Sequence, residues 1–144
     1  MSLAVAQQGP SLTPGLTALR LSLHVLAAAL WVGGQLTVAG LLGTVRGLGE
    51  GAPRAVARAF GRLQWPAFAV LIATGIWNVT ADHAGSATGA WSAVLGVKIA
   101  VALGAGATAW LHQRSRSTIG LAVFGAVSGL LSLAALVLGV LLAG

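Results

Sequence analysis

His24, Trp31 and Gln35 recur at helical spacing in the stretch HVLAAALWVGGQ. On an α-helix, at about 100° per residue, the three fall within roughly 40° of one another, with Ala27 and Ala28 beside them. They form a narrow polar and aromatic stripe on a segment otherwise built from Leu, Val, Ala and Gly. An ionisable ring inside such a segment costs free energy and requires a partner. In its neutral form it can ligate a metal, or accept a hydrogen bond, through one ring nitrogen while a neighbour fixes the other. Gln35, Asn78 or a backbone carbonyl could be that neighbour. The bland alternative is a histidine hydrogen-bonded across helices for structure alone.

Four apolar runs must position these residues. The chain is 57% hydrophobic and 7% charged, against about a quarter charged in soluble domains. The composition predicts an integral membrane protein of all-α class, a four-helix up-down antiparallel bundle with both termini outside. Spans are expected over about 17–44, 54–80, 90–112 and 118–143, each longer than the roughly 20 residues that cross a bilayer. Residues 1–16 form a weakly ordered lead-in that lacks the plan of a signal peptide, and 17–144 form the transmembrane domain. Pro66 is expected to kink the second span.

Loop charges set the orientation. The first and third loops hold Arg46, Arg54, Arg58, Arg62, Arg114 and Arg116 against Glu50, whereas the second has Asp82 and neither Lys nor Arg. The positive-inside rule puts that second loop and both termini outward, with Arg20 the one discordant charge. His24 and Lys98 then lie roughly 10–12 Å below the outer boundary and can share a level. Thr74, Asn78 and Trp77 approach the same layer, with Trp91 and His83 above it. Lys98 could turn inward to bind an anionic group, or snorkel to the headgroups. His112 ends the third span, where a cation suits the helix terminus.

Several function classes are excluded. The net charge of +6 flanks the spans and has no aromatic-basic platform beside it, so it does not indicate nucleic acid. With no cysteine there is no thiolate metal site or disulfide. The two acids occupy opposite loops, leaving paired acid-base hydrolysis without residues.

HVLAAALWVGGQL, RAFGRLQWPAFAVLIATGIWNV and WSAVLGVKIAVALGAGATAWLH resemble three successive spans of the copper-resistance D (CopD) membrane domain. That family has a His-to-Trp-Gly-Gly first helix, an arginine-led second helix ending in a Thr-Gly step, and a third helix with a mid-span lysine. The similarity covers roughly residues 20–113. It implies copper handling in a bacterial inner membrane, with His24, Trp31, Gly33, Gly34 and Lys98 at the matching positions. Longer members join the domain to further spans, so transport by this chain would call for a homo-oligomer or a membrane partner subunit. Imidazole is the one good metal-ligand type available, which suits Cu(II) better than soft Cu(I). The expected metal site is therefore His24 with His83, supported by Trp31, Gln35, Asn78 and Lys98. A rival pattern is similar to HemJ-type proteins, and implies haem b held between helices with His24 as an axial ligand and Arg20 or Lys98 near the propionates. A third reading is a non-catalytic accessory subunit of a larger membrane complex.

Overall fold

A computed structural model describes residues 13–82 and 88–143. Four long helices account for nearly all of them: Gly15–Gly47, Ala52–Asp82, Gly89–Arg114 and Thr118–Ala143. Each is apolar enough to cross a bilayer. The chain is thus a multi-pass membrane protein, and its long Leu and Val side chains, such as Leu26, Leu103 and Leu130, face outward where lipid replaces water. The 1–16 lead-in lies largely outside the described residues, as do the second loop and its His83.

Local chemistry fixes the ends. Pro14 precedes the first helix, where its missing N–H costs no hydrogen bond, and its carbonyl accepts from Ala18 N at 2.8 Å. Gly49, at φ +114°, makes the tight turn between the first two helices, a conformation that a side chain would strain. Thr88 caps the third helix by accepting from Trp91 N at 3.2 Å, and Ser117 Oγ does the same for Gly120 N at 3.0 Å in the fourth. At that end, His112 Nδ1 donates to the Leu121 carbonyl at 2.8 Å, tying the third helix to the first turn of the fourth. His112 thus has a structural bond of its own.

Consecutive helices pack as antiparallel hairpins, first with second and third with fourth. The hairpins join where small residues admit large ones. A Cβ built on Gly106 would lie 2.5 Å from Phe68 Cζ, so only glycine leaves room for that ring. Phe68 in turn stacks on Trp31, with centroids 4.4 Å apart, and both touch Trp65. Gly125 accommodates the His112 ring, and Gly104 faces Leu131. Gly96 of the third helix has nothing within 4 Å of its Cβ position, whereas Ala105, Gly106 and Ala109 of the same helix are buried.

The second helix continues through Pro66. The first contains a feature with no counterpart in the sequence pattern: residues Ala29–Gly33 form a π-helical turn. Such a turn is wider than an α turn and rotates all that follows relative to a straight α-helix.

Candidate functional site

His24 projects from the first helix toward the second. Its Nδ1 lies 2.8 Å from Thr74 Oγ1, and its Cε1 lies 3.6 Å from the Cβ position of Gly75. The Thr74 hydroxyl has one proton, and a 2.7 Å bond to the Val70 carbonyl one turn back uses it. Thr74 Oγ1 therefore accepts, which makes His24 Nδ1 the donor. In the neutral ring Nε2 carries the lone pair, the arrangement in which a second neighbour fixes the tautomer of a ligating imidazole.

Lys98 is the electrostatic neighbour of this ring. It stands on the third helix, with its ammonium against the fourth: Nζ is 3.2 Å and Cε 3.5 Å from the Cβ position of Gly139. A larger residue at Gly139 would occupy the lysine's course. His24 and Lys98 each lie nine residues from the first residue of their helices, about 13 Å along the axis. The shared level expected from the sequence is thus present, and Lys98 is half-buried rather than extended into lipid.

Two further polar groups border this layer. Asn78 lies one turn beyond Thr74 on the same helix face, and its Oδ1 is buried with no hydrogen-bond partner among the described residues. Arg20, one turn before His24, is 2% exposed. A charge so fully enclosed in a membrane helix faces the bundle interior. From sequence Arg20 stands out as the one charge discordant with the positive-inside rule and as a candidate partner for haem propionates; its four-residue spacing to His24 is the signal that places it on the histidine's face.

Trp31 and Gln35 belong to a different cluster. Trp31 Nε1 donates to Ser132 Oγ at 2.8 Å, and Gln35 Nε2 donates to the same oxygen at 3.2 Å. Ser128 Oγ donates to the Ala105 carbonyl at 3.0 Å and lies 3.5 Å from Gln35 Oε1. These bonds join the first, third and fourth helices around the π-helical turn. The single stripe of His24, Trp31 and Gln35 is therefore divided: His24 bonds the second helix and Gln35 the fourth, while Trp31 sits between, its ring against Phe68 and Trp65 of the second and its N–H on Ser132 of the fourth. The partner that fixes His24 is Thr74, not Gln35 or Asn78. Ser128 and Ser132 carry no signal of their own in the sequence, because serine in a membrane helix usually bonds its own backbone.

As a donor set, this layer offers one imidazole nitrogen, one amide oxygen and two cationic side chains. Among the described residues no three His, Cys, Asp or Glu side chains converge. The set fits one imidazole ligand of a larger shell, the remainder coming from water or from residues of another segment or chain. No protein-family model, curated protein or solved structure matches this chain.

Proposed function

We propose that this membrane protein handles copper, with His24 Nε2 as the protein's imidazole ligand in the layer it shares with Lys98. The observation that supports this reading is the Thr74 hydroxyl, committed to Val70 and therefore accepting from His24 Nδ1. It holds the ring and leaves the lone pair on the opposite nitrogen. The resemblance to the CopD domain supports the choice of metal, and imidazole with amide oxygen suits Cu(II). Asn78 Oδ1 is a buried acceptor one turn beyond Thr74 with no hydrogen-bond partner among the described residues; His83 would add a second imidazole. Copper supplies a Lewis-acidic, redox-active centre when bound. The chain's own contribution is to hold the ring, exclude bulk water and surround the site with Arg20 and Lys98. On this reading the layer lies in the half of a bacterial inner membrane away from the cytoplasm, because the arginines gather at the opposite end.

A second reading rests on those same two cations. Arg20 and Lys98 near a single imidazole suit haem b, with His24 axial and the propionates paired to the cationic side chains. One purification separates the two. Copper binding predicts no Soret band, a copper stoichiometry of about one or one-half per chain, and its loss in His24→Ala. A strong band near 400–430 nm that shifts on dithionite would replace copper by haem, and copper uptake unchanged in His24→Ala would remove His24 from the site. A colourless protein that takes up neither and copurifies with other membrane subunits would point to an accessory role.

A further inference from the structure

The arginine-rich end of the bundle is uneven. Phe68 packs at Gly106, and Gln113 packs at Gly61 and accepts from Trp65 Nε1 at 3.0 Å. These contacts fix the register of the second helix against the third and place Arg114, the last residue of the third helix, level with about residue 60. The second helix begins at Ala52, so it extends about 12 Å beyond the end of the third. Arg54 and Arg58 lie on this extension and Arg62 just inside it, at four-residue spacing within a sector of about 80°, and all three are exposed. Arg114 lies between Arg58 and Arg62 in height, its guanidinium 4.2 Å above the Trp110 ring.

None of these arginines has an ion-pair partner among the described residues. Glu50 is the one acid near this end of the chain. Trp65 and Trp110 lie within a turn below Arg62 and Arg114, the position of an aromatic belt at the membrane boundary. A headgroup layer is about 5–8 Å thick on each side of the hydrocarbon core. Arg62, Arg114 and Arg58 span about 6 Å along the axis and so fit within one such layer. Arg54 stands about 6 Å further out than Arg58.

We propose that Arg54, Arg58, Arg62 and Arg114 form a binding surface for the phosphodiester groups of anionic phospholipids. Charge complementarity and height both favour a lipid over a soluble acidic protein, which would have to reach Arg62 and Arg114 inside the headgroup layer. The guanidinium fork suits phosphate oxygens, and stacking on Trp110 holds Arg114 ready for them.

The test uses the full chain in phosphatidylcholine vesicles containing trace spin-labelled phosphatidylglycerol or spin-labelled phosphatidylcholine. The fraction of each label immobilised at the protein gives their relative association. Wild type should prefer phosphatidylglycerol, at roughly fivefold per engaged arginine, and 1 M KCl should weaken the preference. R54Q/R58Q/R62Q should lose most of it while keeping its helicity by circular dichroism, and R54K/R58K/R62K should retain a reduced preference. Equal association of the two lipids with wild type, or an undiminished preference in the glutamine variant, would overturn the proposal. In the first case the stripe would be free for a soluble acidic partner instead.

Discussion

The bond from Trp31 to Ser132 should be among the strongest single polar contacts between helices here, and a double-mutant cycle measures it. Trp31→Phe removes the N–H while keeping an aromatic ring against Phe68; Ser132→Ala removes the acceptor. Hydrogen bonds between membrane helices average about 0.6 kcal/mol and reach about 1.7 kcal/mol. Both partners here are 2% exposed, and the distance is 2.8 Å, so neither group finds water when the other is removed. The coupling should fall at the upper end, about 1–1.7 kcal/mol. Ser132→Ala alone should cost more, about 1.5–3 kcal/mol, because the Gln35 amide loses the same oxygen. The bond from Trp65 to Gln113 is the comparison: it is 3.0 Å long but lies at the exposed end of the third helix. Its cycle, Trp65→Phe with Gln113→Ala, should give less than about 0.5 kcal/mol. Reversible unfolding in mixed micelles with increasing dodecyl sulfate, followed by helical circular dichroism, supplies the free energies. A coupling at Trp31 and Ser132 within about 0.3 kcal/mol of zero, or one no larger than the comparison pair's, would refute the assignment of the first-to-fourth helix contact.

Three further outcomes are expected. Gly106→Ala should destabilise by about 1–3 kcal/mol, because the new methyl meets the Phe68 ring, whereas Gly96→Ala, with open space around it, should be neutral or stabilising by up to about 1 kcal/mol; the same unfolding assay compares them. Thr74→Val should weaken copper binding about 10–100-fold by removing the acceptor for His24 Nδ1, and Thr74→Ser should restore it, both read by competition with a chromophoric chelator. Gly49→Ala should lower stability by about 1–2 kcal/mol, since its φ of +114° places a Cβ in a strained conformation; a melting temperature equal to wild type would contradict that turn.

The four helices were legible because an 18-residue apolar window has no other stable fate in a bilayer: expected spans of 54–80 and 90–112 compare with observed Ala52–Asp82 and Gly89–Arg114. Depth was legible too, since rise per residue is constant; His24 and Lys98 meet at one level because equal distances from the helix starts translate directly into height. Azimuth was less so. The α-helical projection that groups Gln35 with His24 fails at Ala29–Gly33, where nothing in ALWVG announces a wider turn. Depth alone puts Thr74 in the histidine's layer, but a hydroxyl that bonds its own carbonyl can still accept, and sequence does not show which way it points. Arg20 shows the same limit: its charge is visible, its burial is not.

The π-helical turn has a mechanical corollary. It amounts to one surplus residue tolerated in an otherwise regular rod, and that surplus lets one helix address two different neighbours, the second through His24 and the Trp31 ring and the fourth through the Trp31 N–H and Gln35. Deleting Ala29 would let the rod relax to uniform pitch, swinging its far half around until the indole and amide left their serines. The histidine would keep its threonine, yet the seam between the hairpins would open.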